Sequence, residues 1–434
     1  MDQTARRALW FHSDQSGEPA PSAPEASRPS VFVWIAAAAG LAGVAFEVWR
    51  WTWHRAQLDF AVYLLGAHHL TDSQLYHVGL SYPPHLPFTY PPFAALLFWP
   101  LSLGPAPAAA LVWATVNIAA LWIILYVSLR AVAPSWSSAV ARAAATLLLA
   151  PAIVLEPVSL TFSYGQINLV LAALVLVDLT GASGVGRRTL PRGVLVGLSA
   201  AVKLVPLIFI PYLVLTRQRR AAAVATVTFL GASLLAAAFD PASSWSYWTK
   251  YAVDAQRVGN VDYISNQSLR GAAARLTHHL LSAGVATLAE VLVLVAGLAL
   301  AAWAAKVSSP FLGVLLCAAT GLLASPITWA HHMVWIAPVL LWLWWAPDRP
   351  RGGRPWAVAA GALFWWAPIW SVPDNPPEVL REHGWQLLRG NSFFVATAVF
   401  VASAAIMLAR RQRRTRRGVT IVPVEGTLRA SGPR

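Results

Sequence analysis

The chain has 434 residues, 57% of them hydrophobic and only 12% charged, which excludes an ordinary soluble domain and points to a polytopic membrane protein. The formal net charge of +14 would suit a nucleic-acid partner, but most of the Arg residues sit in short clusters between apolar runs, a topology signal rather than a nucleic-acid patch. Cys317 is the only cysteine, so neither a disulfide framework nor a thiolate metal site is available.

Taken in chain order, residues 1–30 are polar and rich in Pro and Ser, and they read as a disordered cytosolic tail without a cleavable signal. A hydrocarbon core of about 30 Å takes roughly 20 apolar residues as a helix. Spans are therefore expected at 31–49, 106–129, 142–158, 166–180, 221–239, 282–305, 309–324, 328–346, 356–371 and 392–409. Residues 93–104 are too short to cross and are expected to re-enter. The run 193–216, "GVLVGLSAAVKLVPLIFIPYLVLT", has Arg187, Arg188 and Arg192 before it and Arg217, Arg219 and Arg220 after it. With both flanks on the cytosolic side it enters and returns as a broken hairpin, with Lys203 and Pro206 near the tip. The expected architecture is all-α, with about 12 transmembrane segments over 31–409 and a basic cytosolic tail over 410–434, whose "RRQRRTRR" holds an anionic leaflet.

With both termini in the cytosol, the inner side carries 23 Lys and Arg and the outer loops carry eight. That orientation, in a multi-pass plasma-membrane protein, gathers Asp59, Tyr90, Gln166, Asn168, Asn266, Arg270, His331 and His332 at the outer face. Ionisable groups held near an apolar slab are costly, and their convergence marks a candidate site built from outer-face loops. An acid there can accept a proton from a sugar hydroxyl when low dielectric raises its pKa. Asp59, in "AQLDFAVY", is the first candidate, although an Asp at a helix start also serves as a cap. Glu47 and Glu156 are the rival acids.

Arg270, Lys203 and one His of the pair His331 and His332 are candidates to hold a phosphate. Neighbouring helical residues point about 100° apart, so one of the two imidazoles faces the cavity, and spacing leaves the choice open. Lys203 has the alternative role of bonding carbonyls freed at the hairpin tip. The pairs His68/His69 and His278/His279 have no accompanying carboxylate cluster, so no metal site is expected. "GASGVGRR" has no strand before it and is no phosphate loop. The outer-loop aromatics Tyr82, Phe88, Trp245, Tyr247, Trp248, Tyr251 and Tyr263 suit an interfacial belt or a sugar-stacking surface.

In order along the chain, "LDFAVY", "YPPFAALLFWPLS", "YGQINLVLAALVL", "AAVKLVPLIFIPY" and "NQSLRG" resemble glycosyltransferase family 87, over about residues 31–410, and "SPITWAHHMVW" also fits its mannose-adding branch. The resemblance implies a GT-C type fold and a polyprenyl-phosphate sugar as donor, with neither nucleotide nor cofactor. Within the family the chain looks most like the actinobacterial branch that adds α-1,2-mannose to phosphatidylinositol mannosides. It also implies Asp59 as general base and His331 or His332 beside the reacting centre, with Tyr90, Gln166, Asn168, Lys203, Asn266 and Arg270 binding substrate. The implied partners are polyprenyl-phosphate mannose, a glycolipid acceptor and membrane lipids, with no nucleic acid. An arabinosyltransferase using a polyprenyl-phosphate donor is the nearest alternative. A lipid or sugar transporter is the other, but it should carry an internal repeat, which the sequence does not show.

Overall fold

The structure, a computed structural model, describes residues 57–82, 84–181 and 190–418, with side chains described as far as Arg413. The expected tail 1–30, the span 31–49, Glu47, most of the "GASGVGRR" loop and residues 419–434 lie outside the described residues.

The described chain is helical, with isolated bridges between Gly79 and Pro87 and between Asn266 and Trp329. The first half holds α1 (Leu58–His68), α2 (Pro92–Ser102), α3 (Ala106–Val132), α4 (Ser138–Ile153), α5 (Glu156–Tyr164), α6 (Asn168–Thr180), α7 (Val194–Val202), α8 (Phe209–Leu215) and α9 (Arg219–Phe239). The second half holds α10 (Pro241–Thr249), α11 (Ala255–Val258), α12 (Leu269–Thr277), α13 (Ala283–Val307), α14 (Pro310–Ala324), α15 (Ile336–Trp345), α16 (Gly353–Trp366), α17 (Trp385–Gly390) and α18 (Ser392–Gly418).

Among the described residues, α3, α9, α13 and α18 are long and apolar enough to cross a membrane, and the bent pair α4–α5 is apolar enough to make a broken fifth span or a re-entrant loop. Leu230 and Leu234 on α9, and Leu288, Leu292 and Val295 on α13, are more than half exposed. Water would penalise such outward faces, whereas lipid accepts them. The other expected spans are present as helices cut short. Pro151 inside α4 and Pro157 in the first turn of α5 flank an 81° bend, because proline removes an N–H and clashes with the preceding turn. The segment 193–216 divides into α7, a 3-10 turn Val205–Ile208 carrying Pro206, and α8. The run 328–346 opens as a 3-10 turn, Ala330–Trp335, and becomes α-helical only at Ile336.

Breaks in an apolar slab are tolerated only when the freed backbone groups find partners inside the protein. Here they do. The Trp113 indole donates to the Gly165 carbonyl at 2.7 Å, and the Asn168 amide donates to the His331 carbonyl at 2.9 Å. The Asn266 side-chain oxygen accepts from the Thr328 N–H at 2.8 Å. The breaks at 165–167 and 325–335 are thereby closed beside α6, and the break at 203–205 brings the Lys203 side chain to Asn168 of the same helix.

Candidate active site

The site is assembled from those breaks. Asp59 is the second residue of α1, whose N-cap is Gln57, so Asp59 lies inside the first turn and is not the cap. Four residues on, Tyr63 shares its helix face. The Tyr63 hydroxyl donates to Gln166 Oε1 at 2.8 Å, and Gln166 Nε2 donates to the Tyr90 hydroxyl at 3.1 Å. This fixes the Gln166 amide, just before α6, with both ends in use. The rings of Tyr63 and Tyr90 pack at 4.8 Å, and Tyr63 stacks on Phe98 of α2 at 4.3 Å.

On the other side of the Gln166–Asn168 turn stands Lys203, which ends α7 in extended backbone. Its Nζ donates to Asn168 Oδ1 at 2.9 Å and meets His332 Nε2 at 3.0 Å. An ammonium has three N–H donors, so one is left for an incoming oxygen. Lys203 also lies 5.6 Å from the centre of the Tyr90 ring. Lys203 is thus bonded to side chains, not to the carbonyls of the hairpin tip. Among the described residues the ion pairs are His69–Asp72 and Arg270–Glu290. Asp59 and Lys203 therefore share one electrostatic environment without closing into a salt bridge.

Asp59 retains some accessible surface yet is enclosed by protein, and this burial pushes its carboxyl up to about 6. The neighbouring Gln166 amide and the Lys203 charge pull in the opposite direction. An acid held in that range is suited to exchange protons near neutrality.

A narrow cleft of about 50 Å3 opens at Lys203, Asn168 and His332. Its wall follows α6 through Asn168, Leu171 and Val175, one helix face running about 10 Å at 1.5 Å per residue. Ile208, Phe209 and Leu322 continue the apolar lining. A polar head and an apolar trough match a lipid phosphate better than a soluble sugar nucleotide.

His332 is the imidazole that lines this cleft. The His331 ring is buried against Tyr164 at 5.5 Å, its two nitrogens have no hydrogen-bond partner, and its carbonyl accepts from Asn168 and from Thr161. Tyr90, Gln166, Asn168, Lys203 and His332 are thus brought together beside Asp59, with His331 directly behind. Asn266 and Arg270 are not. Asn266 spends its side chain on the Val261 and Pro326 carbonyls and on the Ser268 and Thr328 N–H groups. It ties the approach to α12 to the segment that delivers His332. Arg270 forms a fork with Glu290 of α13 at 2.6 and 2.7 Å, which joins α12 to α13. Arg270→Gln is expected to leave the KM for donor unchanged and to cost about 1–3 kcal/mol of stability, the penalty for a buried partner left unsatisfied. A thermal melt beside a donor titration checks both.

The rival acid Glu156 accepts from the Trp370 indole at 2.5 Å. Of the aromatics, Phe88, Tyr90 and Tyr247 are buried, whereas Trp245 and Tyr82 are exposed in the manner of a belt. Among the described residues no three His, Cys, Asp or Glu side chains gather as a metal site. Tyr63, which holds Gln166, and Trp113, which holds the Gly165 carbonyl, support the candidate site and were not selected from the sequence. The four-residue spacing from Asp59 was a usable signal for Tyr63; Trp113 had none.

Fold and site define an integral membrane protein, all-helical where described, whose lysine and histidine stand at the head of an apolar cleft with an acid close by, beside Gln166. The chain belongs to glycosyltransferase family 87, whose profile matches residues 88–326. It is 34% identical over 422 residues, 90% of this chain and 94% of the relative, to a polyprenol-phosphate-mannose-dependent alpha-(1-2)-phosphatidylinositol mannoside mannosyltransferase of Mycobacterium tuberculosis. A protein of the same name from Mycolicibacterium smegmatis is 32% identical, over 85% of this chain and 89% of its own. A phosphatidylinositol pentamannoside mannosyltransferase of Mycobacterium tuberculosis is 42% identical over 68% of each chain. No solved structure matches.

Proposed function

We propose that this chain transfers mannose from polyprenyl-phosphate mannose to a phosphatidylinositol mannoside and forms an α-1,2 linkage with inversion. The observation that carries the reading is the Lys203–Asn168–His332 cluster at the polar head of an apolar cleft, with Asp59 beside Gln166 and within reach of the Lys203 charge. The names of the relatives point to the same donor and acceptor class.

The donor phosphate sits against Lys203 and His332 while its isoprenoid chain follows the α6 face of the cleft. Its β-linked mannose then projects past Asn168 toward Asp59. The acceptor hydroxyl attacks the anomeric carbon from the face opposite the phosphate and gives its proton to the Asp59 carboxylate. The sugar–phosphate bond breaks, its electron pair stays on the phosphate oxygen, and Lys203 holds the departing anion. Gln166, gripped by Tyr63 and Tyr90, keeps the Asp59 side of the site in register.

In this reading the chain crosses the plasma membrane about 12 times, with the site at the outer face, both termini in the cytosol and the shortened helices meeting end to end. The domain covers 31–409 between the tails 1–30 and 410–434.

Purified protein incubated with labelled polyprenyl-phosphate mannose and a phosphatidylinositol mannoside should yield a product cleaved by an α-1,2-mannosidase. Transfer from polyprenyl-phosphate arabinose alone would overturn the donor assignment. The pH profile is a second check. With Asp59 at about 6, kcat/KM should fall about tenfold per pH unit below that value as the base is protonated. The sign for stability runs the other way: a carboxyl raised above its unfolded value of 3.8 stabilises the fold below about pH 4, and that contribution is lost as pH rises through 6.

A further inference from the structure

At the far end of α7 from Lys203 lies a second cavity, an open depression of about 460 Å3. Arg192 lines it from just before α7, and Arg217, Arg219 and Arg220 line it from the turn into α9. The two ends of the hairpin segment therefore return to one place. The distance from here to the active site is the nine-residue length of α7, about 14 Å. Arg217, Arg219 and Arg220 are exposed, and among the described residues no carboxylate lines the cavity. Asp178 nearby is occupied, since its oxygens accept the N–H groups of Gly193 and Val196 at 2.9 to 3.0 Å.

We propose that this cavity binds the phosphate of an anionic phospholipid, at a site separate from the donor cleft. The exposed guanidinium groups of Arg217, Arg219 and Arg220 match the oxygens of a phosphodiester, which they can grip in pairs, while Arg192 from the other segment is held to the Leu179 carbonyl. The first turn of α9 faces the same space, and its N-cap Gln218 offers no side-chain cap. Its leading N–H groups add partial positive charge.

The lipid, rather than a free phosphate, is indicated by what adjoins the cavity. Arg220, Val224, Val227 and Leu234 fall on one face of α9 by helical spacing. Arg220 and Val224 line the cavity, while Val227 and Leu234 are 69% and 71% exposed. A headgroup on the arginines would lay its acyl chain along that apolar strip. The α7–α9 contact that frames the site is tight. Gly193 and Gly197 of the α7 segment lie against the Ala221 and Ala225 carbonyls, where an added Cβ would collide. Gly193 also has φ +105°.

The test uses full-length protein in nanodiscs of phosphatidylcholine with a minor fraction of spin-labelled phosphatidylglycerol. Wild type should hold a motionally restricted phosphatidylglycerol in preference to labelled phosphatidylcholine. The double variant Arg217→Gln/Arg220→Gln should lose that preference roughly 30-fold, a factor of about five per arginine. Arg351→Gln/Arg354→Gln, another basic cluster, should keep it. Unchanged preference in the first variant, or an equal loss in the second, would overturn the proposal, as would displacement of the lipid by millimolar inorganic phosphate. If the double variant does not fold, Arg220→Gln alone should show the fivefold loss, and an unaltered single variant counts against the site. Donor binding and mannosyl transfer are measured on the same samples, so failure of the lipid site is separable from failure of the proposed activity.

Discussion

Asp59→Asn is expected to lower mannosyl transfer roughly 10²- to 10⁴-fold, the usual contribution of a general base, with donor and acceptor binding intact. Asparagine has nearly the same volume and keeps a carbonyl oxygen beside Gln166, so the Tyr63–Gln166–Tyr90 chain at 2.8 and 3.1 Å survives. What it lacks is a group that can take up the acceptor proton. A cap would behave differently, because asparagine caps a helix about as well as aspartate, and here Gln57 holds the cap position. Folding should if anything improve slightly above pH 6, since the variant no longer encloses an ionised carboxylate. The measurement is single-turnover transfer with saturating donor, alongside a thermal melt. Normal turnover in well-folded Asp59→Asn protein would remove Asp59 from the mechanism. Glu156 would be next in line, although its bond to Trp370 makes it a packing residue in this fold.

The positions of the helices were legible in the sequence because lipid demands long apolar runs, and every expected span within the described residues is occupied by helix. Their lengths were less legible. Hydropathy averages over a window, whereas Pro151, Pro157 and Pro206 act at single peptide bonds and cut helices that remain apolar on both sides. The hairpin at 193–216 could be foreseen from charge alone, since arginines stood on both flanks, and both flanks now line one cavity. The site was legible as a set of polar residues but not as a set of contacts. Lys203 meets Asn168 and His332 across 35 and 129 residues of sequence, and no local spacing encodes those meetings. Arg270 illustrates the converse. As an outer-face cation it looked available for phosphate, and its partner Glu290 lies 20 residues further on in another helix. The "NQSLRG" motif, expected at the substrate, is a buried knot. Asn266, Gln267 and Ser268 are fully enclosed, and Gln267 reaches the Gly390 carbonyl and the Phe394 N–H.

Lys203→Gln should reduce kcat/KM roughly 10²- to 10³-fold, the cost of losing one preorganised group that stabilises developing charge. Glutamine can still hydrogen-bond toward Asn168 and His332 but carries no charge against the departing phosphate. The effect belongs in kcat as much as in KM, because the phosphate gains negative charge as the sugar–phosphate bond breaks and the cation binds that state more strongly than the diester. Lys203 sits where α7 gives way to extended backbone, so a purely structural role would produce a different signature. A lower melting temperature would then accompany normal transfer per folded molecule. The geometry argues for chemistry, since the two bonds Lys203 makes are to side chains at 2.9 and 3.0 Å. His332→Gln offers an internal comparison. It keeps a polar group near Lys203 Nζ but removes the ring that lines the cleft, and its loss should be smaller than that of Lys203→Gln. Were His332→Gln the more damaging change, with Lys203→Gln close to wild type, the phosphate would belong to the histidine and Lys203 would be its support.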